Sequence, residues 1–140
     1  MARDVPPAGA VLRYPYLWLQ QSRRGEESGR KDRPVCLVMA VHEPKADLHH
    51  LAFLAISSQA PRPDQDAIEI PDIERKRAGL TGYPQAWVYV SEWNYDVAER
   101  SFYLDPLEPI MGTFTTRFLS LVARAFMPTL KQSARRISRT

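Results

Sequence analysis

The chain has 140 residues, 44% of them hydrophobic and 25% charged, which suits one self-supporting core and leaves no room for a second. Its single cysteine excludes a disulfide framework and a cysteine-based zinc site, and no apolar stretch approaches the roughly 20 residues that span a bilayer. The net charge of +3 is uneven: Lys131, Arg135, Arg136 and Arg139 stand in a C-terminal stretch with no acid, and the remainder holds 15 basic and 16 acidic residues. The opening Met1-Ala2-Arg3-Asp4-Val5-Pro6-Pro7 leads into no apolar run and does not read as a signal peptide, so a cytoplasmic location is expected. The expected organisation is a flexible N-terminus over 1–8, one domain over 9–130, and a basic tail over 131–140 that frays into solvent.

Val11 to Leu19 alternates with an aromatic face and predicts a first strand, with Pro15 placing it at an edge or a bulge. Gln20 to Asp32 reads as a polar, flexible loop. The apolar runs Pro34–Val41 and Leu51–Ile56 predict two strands, joined by a turn at His42-Glu43-Pro44-Lys45. Ala67–Ile70 alternates as a short strand with Ile68 and Ile70 inward, and Pro71-Asp72 begins a helical turn that Gly79 ends. Trp87–Val90 reads as another strand.

From Phe114, apolar residues at 114, 118, 119, 121, 122, 125 and 126 define one helix face. Thr113 or Thr115 is its N-cap, Gly112 releases the chain before it, and Pro128 stops or kinks it. These elements make a mostly β chain with a C-terminal α-helix, a strongly bent sheet in the form of a small barrel.

Glycine-rich phosphate loops, H-E-x-x-H and G-x-S-x-G are all missing. Cys36 sits inside an apolar run and reads as a buried, inert thiol; a nucleophile there would need a nearby base that the sequence does not place. His42, His49 and His50 flank one turn, and a metal would need Asp47 or Glu43 to join them; surface histidines in a polar turn are the commoner case.

A set of segments remains whose order and spacing are informative. Gly9-x-Val11 opens a strand, and Gly29-Arg30-Lys31-Asp32-Arg33-Pro34 leads into the next. Ala55-Ile56-Ser57-Ser58 closes another strand, followed by Ala67-Ile68-Glu69-Ile70-Pro71 and then Arg77-Ala78-Gly79-Leu80. Trp87-Val88-Tyr89-Val90-Ser91-Glu92 comes next, and Met111-Gly112 enters the amphipathic helix. From about Gly9 to Phe126 this order resembles the MazF/PemK (Kid) type of toxin endoribonuclease.

The resemblance implies an SH3-like barrel with a C-terminal helix, usually a homodimer, inhibited by a small and often acidic antitoxin. It implies cleavage of single-stranded RNA without a metal or other cofactor. In many such proteins the arginine of the Arg-Pro pair and a threonine at the strand end carry catalysis; those positions are Arg33 and Ser57 here. The expected substrate-binding set is Ser58, Trp18 as a base-stacking ring, and Arg30 and Lys31 on the nucleic-acid backbone. Serine in place of threonine keeps the hydroxyl but loses the methyl that restricts its rotamer. The segment Arg13–Trp18 has no familiar counterpart, and Ser91–Asp96 is unusually aromatic. Tyr16, Trp18 and Trp93 are open to two readings, base stacking or packing, and Trp87 reads as packing.

The chemistry of the pair stands on its own terms. Cleavage by the neighbouring 2′-hydroxyl builds negative charge on the phosphate oxygens, which a guanidinium meets with a planar fork of donors and a hydroxyl with one more. The plainer roles are an ion pair of Arg33 with Asp32 or Glu92, and a strand-end hydrogen bond for Ser57. The sequence names no general base. The alternative function is a barrel of the same shape that binds nucleic acid, or inhibits another enzyme such as DNA gyrase, without cutting.

Overall fold

The two near-continuous apolar runs become the longest strands, and burial on both faces explains their composition. A computed structural model describes residues 5–25 and 32–140. Within these residues the chain is mostly β, an open and largely antiparallel sheet with a C-terminal helix. The elements are β1 (Ala10–Tyr14), α1 (Leu19–Arg23), β2 (Arg33–Glu43), β3 (Leu48–Ser57), β4 (Ala67–Glu69), α2 (Asp72–Arg77), β5 (Trp87–Tyr89), β6 (Trp93–Val97), β7 (Gly112–Thr113), α3 (Thr116–Leu130) and β8 (Arg136–Ser138).

The sheet runs β4-β5-β3-β2-β1-β7. On its side away from β2, β3 pairs with β6 along His50–Phe53 and with β5 at Ile56 and Ser57, so it carries two partners in succession. Alternation splits the core in two. Val11, Cys36, Val38, Leu54 and Ile56 face Phe118, Val122 and Phe126 of α3. Leu12, Tyr14, Val35, Leu37 and Phe53 form the other cluster. Cys36 lies in the first, fully buried, and burial pushes its thiol up to about 12, which suits an inert core residue.

Helix α3 begins at Thr115, whose Oγ1 accepts from the Phe118 N–H at 3.2 Å and donates to buried Glu74 at 2.6 Å. Gly79 follows α2 at φ +76°, as expected of a glycine past a helix end. Gly112 does not simply release the chain. Its backbone pairs with Val11 and passes so close to Arg77 that a Cβ would lie 2.1 Å from the Arg77 carbonyl oxygen.

Several sequence expectations change. The first strand ends at Tyr14, because Pro15 cannot continue the ladder, and Leu19–Arg23 is helical where the end of that strand and the start of a loop were expected. The turn after β2 starts at Pro44, with His42 and Glu43 still paired to His49 and Leu48. Pro128 does not stop α3, which runs two residues past it; its missing N–H leaves one carbonyl without its intrahelical donor, that of exposed Arg124. Strands β6, β7 and β8 were not anticipated. Of residues 1–8, the first four lie outside the described residues and Val5 packs against the second core cluster.

The C-terminal stretch is not frayed. β8 pairs in parallel with β6, Trp93 opposite Arg136 through Tyr95 opposite Ser138. Ile137 is only 4% exposed. The Arg139 N–H donates to the Tyr95 carbonyl at 2.8 Å, and its side chain donates to the Pro15 carbonyl at 3.1 Å while lying 3.9 Å from the centre of the Tyr103 ring. Ile137→Ala should therefore cost about 2–5 kcal/mol in urea unfolding, where a solvated tail would show no change.

Candidate functional site

Three polar side chains at every second position, Glu92, Asn94 and Asp96, point to one side of β6 and are all buried. Each takes hold of the segment that leaves β1. Asp96 accepts from the Tyr14 hydroxyl at 2.7 Å, from Ser101 at 2.6 Å and from the Val97 N–H at 2.8 Å. Asn94 accepts from the Leu17 N–H at 2.9 Å and donates to the Leu17 carbonyl at 2.7 Å, replacing both bonds a neighbouring strand would make. Glu92 accepts from the Leu19 N–H at 2.7 Å and from the Tyr16 hydroxyl at 3.2 Å. Burial pushes the Glu92 carboxyl above the usual carboxylate range, against the pull of the Leu19 N–H and Tyr16 hydroxyl. Burial and the adjacent carboxylates raise the Tyr14 and Tyr16 phenols, which stay neutral donors.

This capture fixes Trp18. Its ring meets Tyr16 and Tyr89 edge-on, both at 5.2 Å between centroids, and floors a cleft of about 550 Å³ at the end of the sheet where β2 begins and β3 ends. The Tyr89 hydroxyl donates to the Gln59 carbonyl at 2.6 Å and holds the chain just after β3.

Arg33 and Ser57 share this cleft. The last pair of the β2–β3 ladder at this end is Val35 opposite Ala55, and Arg33 and Ser57 lie two residues further along each strand. Arg33 is half-buried, with its guanidinium carbon 5.0 Å from the centre of the Trp18 ring. Burial lowers its pKa, partly countered by the charge that Tyr83, Tyr16 and Tyr89 carry once ionised, and a guanidinium keeps its charge through the neutral range. It makes no ion pair with Asp32 or Glu92, and no described residue hydrogen-bonds its side chain. Ser57 does make the strand-end bond, its Oγ accepting from the Gln59 N–H at 3.1 Å, which leaves the hydroxyl proton to donate elsewhere.

Of the expected substrate-binding residues, Ser58 and Trp18 line the cleft, and Arg30 and Lys31 lie outside the described residues. Tyr16 and Trp93 are buried, so among the three ambiguous aromatics only Trp18 presents a ring to the cleft. Trp87, half-buried, packs against the second core cluster. The cleft also gathers Arg13, Arg24 and Arg62, which the sequence did not single out. Arg13 was findable as the one exposed residue of β1. Arg62 was not, since its place depends on a hydrogen bond to Gln20, 42 residues away, at 3.1 Å. Four arginines face two carboxylates, Asp32 and Glu92, so the walls favour an anion and the floor a flat ring.

The three histidines gather at the other end of the β2–β3 hairpin, about 30 Å away at about 3.3 Å per residue. Each has its own carboxylate: His42 with Asp47 at 2.8 Å, His49 with Glu99 at 2.6 Å, His50 with Glu43 at 2.8 Å. Among the described residues no three histidine, cysteine or acidic side chains converge on a metal position. At Glu99 burial acts to raise the carboxyl, but hydrogen bonds from the His49 backbone and ring outweigh it and hold the group below the usual carboxylate range. A lowered folded pKa stabilises above the unfolded value of about 4.3, and that contribution fades as pH falls through the folded value. Glu99→Gln should thus melt below the wild type at pH 6, and the two melting curves should converge as the pH is lowered past about 4. Compared with protein families, curated sequences and solved structures, the chain matches none of them.

Proposed function

We propose that the chain is a metal-independent endoribonuclease that cuts single-stranded RNA by 2′-hydroxyl attack, the toxin of a type II toxin–antitoxin pair of the MazF/PemK type. The observation that carries this reading is Arg33: a half-buried guanidinium with no ion-pair partner among the described residues, lying over Trp18 in a basic cleft it shares with Ser57. A base stacked against Trp18 where it lines the cleft would bring its phosphate toward the arginines, each such stack contributing about 1–3 kcal/mol. The 2′-oxygen gives up its proton to water and bonds to phosphorus as the P–O5′ bond breaks, and the departing 5′-oxygen takes a proton from water, giving a 2′,3′-cyclic phosphate and a 5′-hydroxyl. Arg33 and the Ser57 hydroxyl stabilise the charge that builds on the non-bridging oxygens. A small, largely antiparallel sheet with α3 packed on one core face is consistent with an SH3-like barrel. A homodimer, a small acidic antitoxin and a cytoplasmic location belong to the same reading.

A second reading has its own support. No histidine lies in the cleft, Glu92 is committed to Leu19 and Tyr16, and the other carboxylate of the lining, Asp32, is exposed to solvent, so among the described residues no buried and unengaged base lines the cleft. The same groove would then hold nucleic acid, or block an enzyme such as DNA gyrase, without cutting.

Cleavage of a mixed RNA pool in excess chelator separates the two. The wild type should cut and leave 5′-hydroxyl ends. Arg33→Ala should lose about 10²–10³ in rate, the usual effect of removing an oxyanion donor, and Arg33→Lys most of that, since an ammonium lacks the planar fork. Ser57→Ala should fall in the lower part of that range and Ser57→Thr should keep activity. Binding without cutting, or an Arg33→Ala variant as fast as the wild type, overturns the catalytic assignment.

A further inference from the structure

The groove does not end at Arg62. A second hollow of about 300 Å³ adjoins the first and shares Gln20, Arg62, Gln65 and Glu92 with it. Its outer wall is Arg23, in the last turn of α1, and Arg135, in the single 3-10 turn that precedes β8. The side chains of Arg23 and Arg135 have no hydrogen-bond or ion-pair partner among the described residues, and Arg62 pairs with Asp64 only at 3.4 Å. Three unrelated segments bring these guanidinium groups together. α1 is held by Glu92, the 61–65 loop by the Arg62–Gln20 bond, and the C-terminal turn by the pairing of β8 with β6. The hollow also holds Asp64 and Glu92, so three guanidinium groups stand against two carboxylates, and the positive balance favours a polyanion.

We propose that the two hollows form one track for an RNA strand, with the reacting phosphate beside Arg33 and Ser57 and a neighbouring phosphate held by Arg23, Arg62 and Arg135. The ligand class rests on the ribonuclease reading; the two-site geometry does not. The track makes Arg135 a binding residue that never touches the reacting phosphate, and it makes length part of recognition: a dinucleotide, with one phosphate, fills only the first hollow.

The test is binding of 2′-O-methyl oligonucleotide pools, which cannot be cut, to the full chain at several salt concentrations, with two-residue and twelve-residue pools side by side. Arg23→Ala and Arg135→Ala should each weaken the longer pool roughly five- to tenfold at about 50 mM salt and reduce its salt slope by about 0.7, the value for one single-strand phosphate contact. The short pool should bind unchanged, and Arg135→Lys should restore the slope, because a phosphate needs only the charge. Thermal melts of each variant should match the wild type. If both alanine variants keep the wild-type slope, or weaken both pools alike, the track is refuted even where the wild type cuts RNA. If the wild type never cuts but the slopes change as stated, the track stands and the ribonuclease reading falls.

Discussion

Everything at the cleft depends on how a row of buried polar groups on β6 is satisfied. A carboxylate or amide removed from water costs several kcal/mol unless partners replace the solvent. Glu92 and Asn94 find theirs in one stretch of chain, Tyr16 to Leu19, and Asp96 takes one of its three from Tyr14 at the head of that stretch, the others coming from Val97 and Ser101. Shifting the stretch by one residue would orphan Glu92 and Asn94 at once and take the Tyr14 hydroxyl from Asp96. The segment is therefore over-determined although it has no regular structure between Tyr14 and Leu19, and Trp18 inherits that rigidity. The guanidinium of Arg33 rests on a ring that is itself held in place by a polar ladder on the opposite side of the segment.

The central position of β3 supports the same end. By taking β6 along its first half and β5 at its end, the strand lets two short elements share one edge. Tyr89 on β5 and Glu92 before β6 then arrive on either side of Trp18. The helix on the opposite core face needs only its aromatic stripe and the Thr115–Glu74 pair to stay put, and it contributes nothing directly to the cleft.

What the sequence revealed followed its local signals. The apolar runs of β2 and β3, the Gly79 helix end and the amphipathic face of α3 are short-range patterns, and all three appear in the structure. The segment 15–19 was misread because its aromatic alternation imitates a strand, whereas its hydrogen bonds go to side chains rather than to a ladder. β6 was missed because buried Asn94 and Asp96 make it look like a polar loop, and β8 because its pairing is worth nothing until β6 is in place. At the cleft, Arg33, Ser57, Ser58 and Trp18 were legible and do come together. Arg62, Arg23 and Arg135 were not, since each reaches the groove through a contact with chain far away in sequence.

The bond between Arg139 and Pro15 spans 124 positions, and its consequence lies in time rather than space. A chain made from its N-terminus exposes Tyr14 to Trp18 early, long before β6 exists and longer still before Arg139 leaves the ribosome. Closing so long a loop adds little to the equilibrium but delays the encounter. Until β6 is made, Tyr14 can stack on Phe53 and Trp18 can meet Tyr89, but the segment lacks the polar partners that fix it. A groove whose floor is locked through Arg139 matures only after that residue has been made, long after the segment it closes on.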